Sequence, residues 1–426
     1  MINRKQQPAL KKIETIDIPE PEVARLDNGV PVYLFGTNET GITKLDFIFD
    51  AGSRYQAFPL VASYTNKMLT EGTQTYTSYE VARKLDYYGA WINKATSKDS
   101  AVVSLSVISK HLKYVMPVLN EIINFPEFPA KELRIHTQKD KQVFIDDCRK
   151  VNEVAVMNFN RQLFGDRHPY GTIISADDFD GINRKQLKDF HHEKYTGGNC
   201  SIVVSGKIAP ELLTQLNYFF GTGKKAKAEK ATSSTNKIVS GVKKQFIEMP
   251  DTVQCALRVG KVGINKAHKD FIGLFILNTI LGGYFGSRLM KNIREDKGYT
   301  YGIYSTLISF QQSAAFLIAS EVGAGVCGKA LEEIYKELKT INSEPVSIKE
   351  LELVKRYLTG TILRSFDGPF ETAERFIGLL KFDVDYKKYY ADFFRTLNTI
   401  GPDDLLLISQ KYLMASDMLE LVVGKK

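Results

Sequence analysis

Residues 60–107 read LVASYTNKMLTEGTQTYTSYEVARKLDYYGAWINKATSKDSAVVSLSV. The apolar spacing around 58–70 predicts a helix, and SYEVARKLDYYG predicts a second, more polar helix. Gly89 ends that second helix, the residue favoured just past a helix end because it tolerates a left-handed backbone. Past the glycine, WINKATSKDSAVVSLSVIS alternates polar and apolar residues, the period of half-buried strands. HLKYVMPVLNEIINF then returns to an amphipathic helical period.

The same order recurs about 210 residues later. Strand-like alternation opens both halves: VARLDNGVPVYLF and TKLDFIFDAG in the first, KKQFIEMPD and QCALRVGKVGI in the second. DFIGLFILNTILG, around 270–282, answers the apolar helix, and SRLMKNIREDKG answers the polar one, again with a closing glycine. YTYGIYSTLISFQQSAAFLIAS supplies strands and GAGVCGKALEEIYKELKTI the amphipathic helix. Because strands and helices come in clusters, the expected class is α+β: two similar domains related by duplication, each an antiparallel-rich sheet with helices packed on it. The boundaries read as 1–222, a Lys-rich linker over 223–244, and 245–426.

Composition narrows the function. The chain has 426 residues, 43% hydrophobic and 25% charged, as in ordinary globular proteins. No run approaches the roughly 20 apolar residues of a membrane-spanning helix. The N-terminus MINRKQQPALKKIETIDIPEPE lacks the apolar core of a secretory signal, so a cytoplasmic location is expected. Cys148, Cys200, Cys255 and Cys327 are scattered and read as free thiols. The net charge is +8, but residues 221–245 hold seven lysines against one glutamate, six of the eight excess charges. A basic Ser/Thr/Gly-rich stretch without aromatics reads as a tether and not as a nucleic-acid platform.

Taken together, the 60–107 stretch, KDKQVFIDDCRKVNEVAVMNFNRQLFGDRHPYG, FHHEKYTGGNCSIVVSGKI and LGGYFGSRLMKNIREDKGYTYGIYS resemble, in order and spacing, the pitrilysin and mitochondrial-processing-peptidase family of zinc peptidases, the inverzincins. That family's metal motif is H-x-x-E-H on a helix. Residues at i and i+4 share a helical face, so two histidines can hold one zinc while the glutamate beside them takes a proton from its water. In VASYTNKMLTEGT the matching positions are Ser63, Asn66 and Lys67. A hydroxyl is a poor zinc ligand, an amide is no general base, and an ammonium repels the dication. Asp147, or Asp146 if the register slips, stands where the family has its third ligand. The resemblance therefore implies no metal in this chain. The pair His191 and His192 point about 100° apart and fall at a helix end, and His168 reads as a turn-packing residue.

In the second half, IREDKGYTYG matches the family motif whose Arg and Tyr hold the scissile carbonyl. Arg294 and Tyr301 match that pair by their separation, with Tyr299 a rival for the tyrosine. Such donors stabilise a tetrahedral oxyanion. Gly282, Gly283 and Gly286 read as a close-packed corner, and the enlarged glycine-rich loop of processing-peptidase noncatalytic subunits is missing. INKATSKDSAVVSLSV resembles the edge strand that receives a substrate peptide, making Asn93, Ala95 and Thr96 candidate substrate-binding residues. Lys94 and Lys98 on that stretch read equally as charges that keep an edge from aggregating. The resemblance thus implies a chain inactive by itself, paired with a homologous zinc-binding subunit and acting with it on unfolded peptides. A structural or peptide-capturing homologue is the alternative.

Overall fold

The computed structural model describes residues 17–222 and 242–425, so most of the linker read over 223–244 lies outside the described residues. In the first half the elements are β1 (Glu22–Arg25), β2 (Pro31–Gly36), β3 (Ile42–Phe49), α1 (Val61–Met68), α2 (Ser78–Tyr87), β4 (Trp91–Thr96), β5 (Ala101–Ile108), α3 (Leu112–Asn124), α4 (Ala130–Asp147) and α5 (Val151–Phe164). α6 (Asp178–Gly181), α7 (Arg184–Lys194), β6 (Cys200–Gly206) and α8 (Leu212–Phe220) complete it. The second half runs β7 (Lys244–Glu248), β8 (Gln254–Val262), α9 (Phe271–Asn278), β9 (Thr300–Ser309), β10 (Ala314–Gly323) and α10 (Cys327–Ser343). It closes with α11 (Ile348–Arg364), α12 (Pro369–Leu380), α13 (Tyr386–Thr399), α14 (Pro402–Tyr412) and β11 (Leu419–Gly424).

Each half builds its own mixed sheet. The orders are β1-β2-β6-β3-β5-β4 and β7-β11-β8-β10-β9. Without β1 the two are the same order, with one parallel pair in each (β2 with β6, β11 with β7). The glycines that close the matching helical segments, Gly89 and Gly298, have φ of 60° and 66°. After α2 the Ala90 amide donates to the Leu85 carbonyl, the bond that a left-handed glycine makes possible. The duplication is real in three dimensions.

Along β3, Leu45, Phe47 and Phe49 point into the first core, and on β8 Leu257 and Val259 point into the second. The opposite faces of the two sheets are covered by exchange. α5 lays Val151, Ala155, Phe159 and Leu163, one residue every four, on the second sheet beside Ala256 and Leu421. α12 lays Ala373, Phe376 and Leu379 on the first sheet beside Phe35 and Val203. Fully burying an apolar side chain contributes roughly 1.5–3 kcal/mol, so these two stripes couple the halves strongly.

Asp99, in the β4–β5 hairpin and only 1% exposed, adds a polar joint. It accepts hydrogen bonds from the Tyr170 hydroxyl (2.6 Å) and the Gln311 amide (2.9 Å), with Arg54 and Lys381 each at 3.4 Å. Gln311 lies in the β9–β10 hairpin, so matching hairpins of the two sheets meet at one carboxylate.

Candidate functional site

α1 carries the three replaced positions, and each side chain has a different occupation. Ser63 Oγ donates to the Leu60 carbonyl at the helix start (2.8 Å). Asn66 is buried, and its amide donates to the Ala95 carbonyl (2.9 Å), Thr96 Oγ1 (3.2 Å) and the Val102 carbonyl (3.3 Å). It clips the helix to β4 and β5. Lys67 Nζ lies 2.5 Å from Asp140 Oδ2 on α4, and the Tyr64 hydroxyl donates to the same oxygen at 2.7 Å. Lys94 reaches in from β4 and donates to the Lys67 carbonyl and Thr70 Oγ1, both at 2.5 Å.

Burial raises the Asp140 pKa, but hydrogen bonds from Lys67 and Tyr64 outweigh it and hold the carboxyl below its ordinary value. Burial lowers Lys94 to about 8, with Glu71 opposing the fall and Lys67 adding to it. These residues do not fit zinc. A dication between α1 and α4 would meet two lysine amines and an amide already spent on backbone carbonyls. Among the described residues, no three His, Cys, Asp or Glu side chains gather in a group able to hold a metal.

One reading of the sequence, that of Lys94, is corrected here. The carboxylate that meets α1 is Asp140, a residue the sequence reading did not single out. Asp147 pairs with Lys150 and Asp146 with Arg149, at the outer end of α4. Residues 140 and 147 share a helical face two turns apart, about 10 Å. Lys94 is no guard on the sheet edge, because its amine turns inward to α1. His191 and His168 are packing residues. His191 Nε2 meets the Ile123 carbonyl at 2.8 Å, and burial lowers its pKa to about 4. His168 Nδ1 accepts the Tyr170 amide at 3.1 Å.

Asn93, Ala95 and Thr96 lie on β4, which among the described residues pairs only with β5 and is an edge of the first sheet. Asn93 and Ala95 are exposed. Asn66 already holds the Ala95 carbonyl and the Thr96 hydroxyl, which fixes the strand in place.

Tyr301 lies on β9, the second sheet's matching edge, and Arg294 on the helical turn that leads into it. Arg294 sits on a wide π-helical turn, Met290–Asp296, and its guanidinium lies 4.7 Å from the Phe285 ring centroid. Gly282 lets the preceding corner press on β9, since a Cβ there would come within 2.6 Å of the Ser305 amide nitrogen. Tyr301, second residue of β9, is 92% exposed, whereas its rival Tyr299 packs against the second core. Among the described residues, no hydrogen bond or ion pair joins Arg294 or Tyr301 to β4.

Residues 37–166 match the model of the insulinase family, peptidase family M16, and residues 181–358 match that of the peptidase M16 inactive domain. The chain belongs to peptidase family M16. It is 26% identical over 352 residues to the uncharacterized zinc protease YmxG of Bacillus subtilis (strain 168), covering 80% of this M16 chain and 83% of that protein. To mitochondrial-processing peptidase subunit beta of Bos taurus it is 25% identical over 281 residues, 63% of this chain and 55% of the subunit. A subunit alpha-1 of the same peptidase, from Dictyostelium discoideum, is also similar, at 25% over 231 residues covering 50% and 34% of the two chains. Among solved structures, a peptidase M16 inactive domain from Pseudomonas fluorescens superposes with a TM-score of 0.84 at 25% identity, covering 95% of this chain and 98% of that one. No helix among the described residues is long and apolar enough to cross a membrane.

Proposed function

We propose that this M16 chain is the non-zinc subunit of a two-chain peptidase. It lends Arg294 and Tyr301 to the active site of a homologous partner that carries H-x-x-E-H, and the pair cleaves unfolded peptides. Zinc, in this reading, belongs to the partner alone. One contrast carries the reading. The helix at the metal-motif position carries Lys67 paired with Asp140 and receives the Lys94 amine from β4, while the oxyanion-type residues keep their spacing and Tyr301 stands open to solvent. Arg294 would supply fixed charge and Tyr301 a directed hydroxyl to the carbonyl oxygen as it becomes an oxyanion, donors that matter most where water is excluded. β4, held by Asn66, would offer its edge to an extended peptide.

An α1 tied by its side chains to β4, β5 and α4 suits an inert structural or peptide-capturing homologue equally well, and the retained Arg294 and Tyr301 favour the catalytic pair. The experiment is a cleavage assay on an unstructured peptide with this chain, an M16 homologue bearing H-x-x-E-H, and their mixture. Cleavage by the mixture alone, abolished by a chelator, is expected. Full activity in the homologue by itself, unchanged by this chain, would defeat the proposal.

A further inference from the structure

Arg258, near the middle of β8, is 2% exposed yet has no ion-pair partner among the described residues. Its Nη1 donates to the Leu257 carbonyl at 2.9 Å and its Nη2 to Asn152 Oδ1 on α5. A guanidinium has five N–H donors, so these two bonds leave most of the fork unspent. Burial lowers the Arg258 pKa, with Tyr304, Glu321 and Glu153 acting the other way.

The other half of the molecule provides an internal comparison. Across the second sheet, Leu421, Arg258, Ala319 and Tyr304 form one row. The matching row of the first sheet is Val203, Asp46, Ser104 and Asn93. There the buried charge is answered from within, because Ser104 donates to Asp46 at 2.5 Å and Lys44 lies 3.3 Å away. In the second sheet the facing residue is Ala319, which has nothing to offer a guanidinium. Its small side chain opens a pocket of about 290 Å³ between Arg258 and the tyrosines 301 and 304. The ladder between β9 and β10 shifts register between Ser320 and Val322, beside the pocket. The extra residue lies on β9, where Tyr301 and Gly302 stand against Glu321 alone, and such a bulge re-aims the side chain it carries, here Tyr301.

We propose that the pocket behind Tyr301 is a subsite for a single carboxylate of a peptide, held by Arg258. A carboxylate matches the planar guanidinium fork in charge and shape. Glu321 on the pocket wall and Glu153 on α5 are the acidic groups that face Arg258. They disfavour a dianion such as phosphate and leave room for one negative charge. The carboxylate can come from an aspartate or glutamate side chain or from a peptide C-terminus. This inference rests on the proposed function only in taking a peptide to pass Tyr301.

The test is fluorescence anisotropy with the full chain and labelled unstructured peptides of one sequence. One peptide carries a glutamate and an amidated C-terminus, one a glutamine and a free C-terminus, and one a glutamine and an amidated C-terminus. One of the first two should bind about tenfold tighter than the third, the size expected for a charge-assisted hydrogen bond, and which one identifies the source of the carboxylate. Arg258→Gln should erase the difference. Ala319→Asp, which leaves Arg258 in place and supplies an internal carboxylate, should erase it too and keeps the test alive if the first variant does not fold. Equal binding of all three peptides, no binding of any, or a preference that survives both substitutions would overturn the inference. Carboxylate-selective binding by a chain that never supports cleavage would sustain the subsite and sink the catalytic pairing. A cleaving pair without the preference would do the reverse.

Discussion

Lys67 Nζ and Asp140 Oδ2 meet at 2.5 Å, so an ion pair joins α1 to α4 where the zinc-bearing pattern of M16 would use a metal. The positive charge is retained, but it is covalently part of the chain. Lys67→Met strands the Asp140 carboxylate with Tyr64 as its remaining donor. Both side chains are partly open to water, 40% and 28%, so the loss is expected to be about 1 kcal/mol. Urea denaturation of the variant checks it, and an unchanged midpoint would contradict the pairing.

Asn66 holds three acceptors around one amide nitrogen. Asn66→Asp replaces that donor with a carboxylate facing two carbonyl oxygens in a buried site. We expect a loss of about 3 kcal/mol, together with faster amide exchange along β4, which mass-detected hydrogen exchange reads residue by residue. Protection of β4 as in the wild type would show that the clip is dispensable.

Lys94 gives the stability a definite pH dependence. Its folded pKa, about 8, is below the ordinary lysine value of 10.5. Between those values the unfolded chain holds more protons, so this group's contribution to stability rises with pH. The penalty for burying its charge is fully present below about pH 8 and is relieved as the pH climbs toward about 10. Lys94→Met removes that relief, so its stability relative to wild type should fall between about pH 8 and about pH 10. A pH-independent difference in melting temperature would contradict the assignment.

Asp99 ties the two halves through Arg54, Tyr170, Gln311 and Lys381. Asp99→Asn leaves Arg54, 7% exposed at its side chain, without its countercharge. Breaking a buried pair from one side costs about 3–5 kcal/mol. Limited proteolysis should then cut near the β9–β10 hairpin, and a variant as resistant as wild type would remove Asp99 from this role.

Much of this was legible in the sequence because it is local. The offset of about 210 residues and the closing glycines 89 and 298 follow from period and turn chemistry, whereas the edge position of β4 was implied only by the family resemblance. Ser63, Asn66 and Lys67 were readable as non-ligands from their side-chain chemistry. What stayed hidden depends on long-range packing. The apolar stripe of α5 announces a buried face but not that it covers the other half's sheet. Asp140 was not singled out, because its bonds to Lys67 and Tyr64 exist only once α4 packs on α1. The Asp99 joint gathers residues 54, 99, 170, 311 and 381, which no sequence window contains. Lys94 was read as an edge charge because its stretch resembled an edge strand, while only the fold brings α1 within reach of its amine.

The most direct measurement is kcat for peptide cleavage by the reconstituted pair, with this chain carrying Arg294→Ala. Removing one oxyanion donor is expected to lower kcat about 100-fold, with the complex still forming by size-exclusion chromatography. An Arg294→Ala pair that assembles and cleaves at the wild-type rate would contradict the account.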